Sequence, residues 1–530
     1  MTNPDPRLDR TNLREDAEQW TSRSSNGVVA CAHYLAADAG AQVLAAGGNA
    51  ADAAIGAALA LNVCEPAASG LGGMTMIVGH GFAEQPPFFL DGACTAPAAA
   101  TPELVGAAHR YRGYRSVAIP GAAAAWASMH QRFGRLPLAE IVQPAIALAR
   151  RGSTITPLQH ELAHTYKKAL LAGNCPHLGL DAAGNPHAIG TVVPQPRLAE
   201  TLERLAKHGL MSMYHGEIAA EIADDMRQGD GFLTADDLSA VTEPTPRAPI
   251  AVNFRDRRLF TAGPPAGGIA LAQLAMMCNS LDADLDPRQP RDLVLIAEMI
   301  RRVRQDRRHT RLDIGARELG MAGSLLSARN AQTAMQEVQA AADGGAGETS
   351  HLCAMDKDGG CISMTMSIER SFGSARMPQN LGFLYNGYLR GFKIQNKRHP
   401  HFLTPGAPAR SNAAPTILID GPKTIAIGST GSERMISGIF TTLLRLQHQD
   451  EFDAVLAPRI HCSPEGDLLA EIGRISPDCA DALNSRYNVT NADPYAFKFG
   501  GLQLTTSQNG QFVGVGEPRR DGGAASPAQA

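Results

Sequence analysis

Apolar positions recur at helical spacing through the first two thirds of the chain, and short strand-length runs take over in the last third. Residues 27–31 (Gly-Val-Val-Ala-Cys) predict a buried strand and residues 34–44 a helix. Gly47-Gly48-Asn49-Ala50 interrupts that pattern, and residues 51–63 restart it as a small-residue helix closed by Glu65-Pro66. A glycine-rich loop at residues 69–74 then leads into an apolar strand through Val78. Its order, helix before loop before strand, is the reverse of a dinucleotide turn. No GxGxxG opens a helix, so close backbone packing is expected there and a Rossmann reading is rejected. Residues 116–121 predict a strand entering a turn, and residues 122–133 and 138–150 two helices. Residues 195–240 read as helical and charged, with a short helix starting at Asp236-Asp237. A turn at residues 261–268 opens the apolar helix 269–277, another helix covers 291–306, and residues 332–347 decay from helix into an Ala/Gly linker.

Beyond that linker the period changes. Residues 351–355 and 361–368 are strand-like around the turn Asp356-Lys357-Asp358-Gly359-Gly360, which predicts a β-hairpin. Residues 416–420 and 424–427 flank Gly421-Pro422 as a second hairpin. Residues 428–432 (Gly-Ser-Thr-Gly-Ser) then lead into a helix over 436–446. Helices concentrated early and strands clustered after residue 349 predict an α+β layered core shared by both halves, with no clean domain boundary.

Composition narrows the class of protein. With 530 residues, 44% hydrophobic and 19% charged, the chain reads as a soluble globular protein packed on small side chains. A formal net charge of -4 gives no electrostatic case for nucleic acid, and the arginines at 301–308 read as a solvated or salt-bridged helix face. The first twenty residues lack an apolar core segment and no run of eighteen apolar residues occurs, so neither a signal peptide nor a membrane partner is expected. Nine scattered cysteines with no CxxC pair argue against a disulfide framework or zinc site and make the cytoplasm the expected location.

The candidate chemistry lies between Gly344 and Phe372. A loose linker ends at Glu348-Thr349, and Thr349 stands at the mouth of the first hairpin. Such a stretch can be a surface loop entering an ordinary strand. It also suits a chain that cuts itself before Thr349, which would put a hydroxyl nucleophile and an α-amine base on one residue.

Eight segments, in order and across both halves, favour the second reading. They are Gly47-Gly48-Asn49-Ala50-Ala51-Asp52-Ala53-Ala54; Glu65-Pro66 with Ser69-Gly70-Leu71-Gly72-Gly73; Ile119-Pro120-Gly121; Leu136-Pro137-Leu138 with Gln143-Pro144-Ala145; Pro264-Pro265 with Gly267-Gly268; the Thr349 hairpin through Phe372-Gly373-Ser374; Ala414-Pro415-Thr416-Ile417; and Gly428-Ser429. Together they resemble the γ-glutamyltransferases (glutathione hydrolases) of the N-terminal-nucleophile hydrolase superfamily. The resemblance implies a four-layer αββα sandwich. It also implies autocleavage at Glu348-Thr349 into a large chain (1–348) and a small one (349–530) that together form one structural domain. Thr349 falls on the nucleophile's position, Ser367 on that of a second hydroxyl bonded to it, and Gly431 and Ser432 on the pair whose N–H groups make the oxyanion hole. The implied substrate is a small-molecule amide, and no metal or organic cofactor is implied.

Recognition departs from the family pattern. The family's donor-site arginine segment corresponds to Asp91-Gly92-Ala93-Cys94, which holds no cation. Its two serines become Ser411 and Asn412, and its three amine-binding side chains fall on Glu369, Tyr388 and Gly391. Arg410 or Arg376 is the expected replacement cation, because few groups substitute for a bidentate guanidinium. Three functions follow: a γ-glutamyl hydrolase or transferase with a rebuilt pocket; an acylase, oxamate-type or oxalyl-removing enzyme; or an inactive homologue serving as a binding partner. Retention of Thr349, Ser367 and the loop from Gly428 to Gly431 counts against the last.

Overall fold

Alanine-rich helices can bury every face, and residues 50–64 do so. The computed structural model describes residues 13, 16–83, 85–106, 111–310, 349–397, 399 and 401–528. Helix α1 is Tyr34–Ala45 and α2 is Ala50–Cys64, all of whose side chains are buried. Asn49 caps α2 by accepting the N–H groups of Ala51 and Asp52 at 3.0 and 3.1 Å, and Asp52 accepts the Asn49 N–H at 3.0 Å. A reciprocal cap of this kind contributes about 0.5–2 kcal/mol. Helix α3, Leu138–Arg151, packs alongside. The predicted linker 332–347 and Glu348 lie outside the described residues.

Two antiparallel sheets carry the fold. In chain order their strands are β1 (Thr21–Ser24), β2 (Gly27–Cys31), β3 (Met74–His80), β4 (Phe88–Gly92), β5 (Ile250–Phe254), β6 (Arg257–Thr261), β7 (Ser350–Asp356), β8 (Cys361–Ser367), β9 (Thr416–Asp420), β10 (Lys423–Ser429), β11 (Leu502–Gln508), β12 (Gln511–Gly516) and β13 (Gly523–Ala525). One sheet runs β13-β2-β7-β8-β3-β4, the other β1-β12-β11-β10-β9-β6-β5. The predicted hairpin β7–β8 is therefore central, flanked by strands that precede residue 349. Strands do not simply cluster after 349, since six of the thirteen come before it.

Period-2 alternation sorts the hairpin's side chains into two layers. Leu352, Ala354, Ile362 and Met364 face α1 to α3, in one core with Ile55 and Leu59. Cys353 and Met355 face the second sheet, with Val28, Met76, Ile417, Ala426 and Phe512. On the far side, Leu259, Leu418, Ile425 and Ile427 pack against α4 (Gly268–Cys278), α5 (Pro290–Thr310) and α6 (Arg434–Arg445). The order is helix, sheet, sheet, helix: an α+β, four-layer αββα sandwich.

Residues 116–121 form no strand. A short 3-10 turn at Tyr114–Ser116 precedes extended chain with a single bridge, Ile119 to Thr95. The Asn386 amide takes both backbone groups of Ala118, at 3.0 and 2.8 Å, and Pro120 has no N–H to offer a ladder. The glycine-rich loop packs as expected: a Cβ on Gly72 would lie 2.2 Å from the Leu384 carbonyl oxygen, and one on Gly73 2.4 Å from that of Ser367. Among the described residues no helix is long and apolar enough to cross a membrane, and no cluster of His, Cys, Asp and Glu could hold a metal ion. All nine cysteines are buried and unbonded.

Candidate active site

Thr349 immediately precedes β7 and is only 4% exposed. The β7–β8 register pairs Ser350 with Met366 and His351 with Thr365, and one further step sets Thr349 opposite Ser367. Alternation turns both hydroxyl residues toward the second sheet, while Ser350 faces the helices and donates to the buried Glu65 at 2.5 Å. The Ser367 hydroxyl accepts the Glu369 N–H at 2.8 Å and is hydrogen-bonded to the hydroxyl of Tyr388. Burial, with the Cys94 thiol and Glu369 nearby, pushes the Tyr388 phenol well above its ordinary value. Ser367 and Tyr388 thus form a neutral hydroxyl pair beside Thr349.

The opposite wall comes from β10. It runs through Gly428 and Ser429 into residues 430–432 and then α6. Thr430 and Gly501 pin this loop reciprocally: the Thr430 N–H donates to the Gly501 carbonyl at 2.9 Å, and the Gly501 N–H to the Thr430 hydroxyl at 2.7 Å. Gly431 has φ 98°, and a Cβ there would stand 2.7 Å from the Gly500 Cα. Ser432 adopts φ 58°, a left-handed conformation that costs an L-residue about 1–2 kcal/mol. Its N–H is retained, as the role implied by the family resemblance requires. Among the described residues neither N–H, of Gly431 or of Ser432, meets an acceptor, and both stand at the N-terminus of α6. Unpaired donors aimed from a helix start suit developing negative charge.

The two walls meet at one end of the sandwich. Ser363 on β8 donates to the Ile427 carbonyl at 3.0 Å, and the His351 ring lies against Gly428. From those contacts β7 continues back to Thr349 and β10 onward to Gly431, in the same direction. Asn412 joins this wall, its amide donating to the Ser432 hydroxyl at 3.3 Å. Ser411 is buried beside it, its hydroxyl accepting the Ala413 N–H at 3.0 Å.

The recognition residues distribute less simply. Glu369 sits at φ 81° and its carboxylate meets the Arg390 guanidinium at 3.4 Å. Burial holds this carboxyl above the usual carboxylate range, against the opposing pull of Arg390, Arg370 and Arg112. Gly391 adds no side chain. Arg376 is engaged elsewhere: it donates to the Ala172 carbonyl at 2.8 Å and lies over the Tyr114 ring. Arg410 is exposed on the segment leading to Ser411. Asp91 pairs with Arg247 at 2.8 Å, beside a cavity of about 430 Å³ that Ala93, Ile119 and Pro405 also line. The arginines gathered near Glu369 are therefore Arg390, Arg370 and Arg112, which sequence reasoning missed. Arg370 and Arg390 directly neighbour Glu369 and Gly391 in the chain, and that adjacency was the available signal.

An αββα sandwich whose central strand follows a buried threonine, on the face turned toward the other sheet, has the architecture of the N-terminal nucleophile hydrolases. The chain belongs to the gamma-glutamyltranspeptidase family, whose model matches residues 36–527. It is 31% identical over 476 residues to the glutathione hydrolase proenzyme of Pseudomonas aeruginosa, covering 82% of each chain. It is 29% identical over 542 residues to the acylase ACY 1 proenzyme of Pseudomonas sp. (strain V22), covering 95% of this chain and 94% of that one. Among solved structures, cephalosporin acylase from Bacillus halodurans superposes with a TM-score of 0.86 over 98% of this chain and 99% of that one, at 24% identity. The protein is accordingly an enzyme of an amidohydrolase and acyltransferase family, whose relatives are named as proenzymes.

Proposed function

We infer that the chain cleaves itself between Glu348 and Thr349, and that Thr349 then attacks an amide carbonyl of a small molecule. The released α-amine of Thr349 takes the proton from its own hydroxyl as the hydroxyl oxygen bonds to the carbonyl carbon. The N–H groups of Gly431 and Ser432 receive the oxyanion, and Ser367, paired with Tyr388, orients the threonine hydroxyl. The leaving amine departs with a proton, and water or an acceptor amine then releases the acyl group from Thr349. The observation that carries this reading is the register, which continued by one step sets Thr349 opposite Ser367 on the face turned toward the sheet whose β10 leads into Gly431 and Ser432. Electrophoresis tests it. Wild type should separate into chains of residues 1–348 and 349–530, and Thr349→Ala should stay full length and inactive. A wild type that stays whole, or an active Thr349→Ala, overturns it.

The preferred substrate is an acyl amide other than the γ-glutamyl amide of glutathione. Glu369 is already paired with Arg390, the Tyr388 hydroxyl is engaged with Ser367, and Gly391 offers no ligand, so little remains to hold an α-ammonium. The excess of arginine over carboxylate around Glu369 favours an acyl group that carries a carboxylate. Relatives named acylases support this reading. A rebuilt γ-glutamyl site is the second reading, favoured by Ser411 and by the relative named glutathione hydrolase. Turnover of γ-glutamyl, oxamate-like and aliphatic acyl amides side by side separates the two. The nine unbonded cysteines fit a reducing compartment, which supports a cytoplasmic location.

A further inference from the structure

We propose that His351 is a positioning residue that sets the separation between the nucleophile and the oxyanion donors by acting as a strut between the two sheets. The proposal rests on the assignment of Thr349, Gly431 and Ser432 above. Those groups stand on opposite sheets, so no covalent element of either sheet fixes the distance between them. Their separation is the local spacing of β7 and β10.

At the pair of positions just inside the site, that spacing is filled from one side only. His351, two residues from Thr349, is wholly buried and projects across the gap. Opposite it stands Gly428, three residues before Gly431. A Cβ on Gly428 would lie 2.1 Å from the ring Cε1 and 2.4 and 2.5 Å from Nε2 and Nδ1, so the ring lies flat on the glycine backbone. Packed sheets usually keep about 10 Å between them by interdigitating side chains from both. Here the imidazole meets a glycine, which brings no side chain of its own to the contact.

The ring's orientation is held as well as its position. Nδ1 is 2.9 Å from the Thr365 hydroxyl, and Nε2 is 3.3 Å from the Cys353 sulfur and 3.4 Å from the Ser363 hydroxyl. Thr365 is the cross-strand partner of His351 and the neighbour of Ser367 on the same face. No carboxylate is among these partners, and burial lowers the imidazole pKa to about 3. The strut is therefore neutral wherever the α-amine of Thr349 can act as a base. An ångström of misplacement between reacting groups can cost ~100-fold in rate.

The test compares His351→Ala, Gly428→Ala and the double variant in the full chain, counting active sites with a covalent acylating probe. Each single change should lower kcat per active site by roughly 10–100-fold with KM within about twofold. The first removes the strut, and the second forces a methyl group against the ring. The double variant should recover at least about tenfold over the worse single, because the new methyl occupies space the ring has left. His351→Phe, which keeps a ring, should retain more activity than His351→Ala and serves where alanine fails to fold. A merely structural role would lower Tm and the number of active sites while leaving kcat per site unchanged. That outcome, or a double variant no better than the worse single, or a phenylalanine variant no better than alanine, overturns the proposal. Thr349→Ala is run in parallel: activity there overturns the nucleophile assignment instead, so the two failures are distinguishable.

Discussion

The two walls of this site are built by different means. On the proposed catalytic side, Thr349, Ser367, Gly431 and Ser432 are placed by strand register and by a loop pinned to Gly500 and Gly501. What they contribute is hydroxyls and backbone N–H groups. On the recognition side, Glu369, Tyr388 and Arg390 sit off the two sheets and contribute long side chains. The first wall depends on backbone geometry that few substitutions can reproduce. The second can be re-equipped residue by residue without disturbing either sheet, so a family can keep one reaction and change its substrates.

The sharpest way to break this comparison is at Gly431. Its positive φ and the 2.7 Å approach to Gly500 leave no room for a side chain, so Gly431→Ala should lower kcat by roughly 100- to 1,000-fold while leaving KM nearly unchanged. Steady-state kinetics check it; a change confined to KM would place Gly431 in recognition.

A smaller effect is expected at Glu369, read by thermal melts across pH. Its folded carboxyl titrates above the unfolded value, so between the two the folded state holds the extra proton. Stability therefore falls as pH rises from about 4.3, the unfolded glutamate value, through the folded pKa. Glu369→Gln removes that cost, and its Tm should exceed wild type's at pH 7 and match it below about pH 4. Equal Tm at both pH values would show that Arg390 fully compensates the buried charge.

The smallest effect is expected at Ser432→Gly. The change keeps the N–H and removes a left-handed strain of about 1–2 kcal/mol, offset by about 0.4–1 kcal/mol of added unfolded-chain entropy. Activity should remain within a few-fold and denaturant stability within about 1 kcal/mol of wild type. A large activity loss would mean that the Asn412 amide on the Ser432 hydroxyl matters more than the backbone.

Legibility in the sequence followed the same divide. The Thr349 hairpin could be read because period-2 alternation around a five-residue turn fixes which side chains share a face. Residues 116–121 look like a strand by composition, yet the Asn386 side chain, distant in sequence, captures the backbone of Ala118. The sequence points to Arg376 or Arg410 as the replacement cation. Arg376 proves committed to Ala172 and Tyr114, whereas Arg390 and Arg370 gather near Glu369. Irregular segments have no period, and a positive φ at Glu369 redirects the chain in a way that composition does not announce.

By itself, then, the sequence determined the hairpin that follows Thr349 and which of its residues share a face, because local periodicity and turn chemistry specify them; the roles proposed for Thr349, Ser367 and the glycine-bearing loop came from the family resemblance. Only the tertiary structure decided which arginines surround Glu369 and that Ser432 tolerates its left-handed backbone. It also decided that the His351 ring lies against Gly428 between the two sheets. Each of these depends on contacts between segments far apart in the chain, set by how two sheets pack and not by the order of residues along either one.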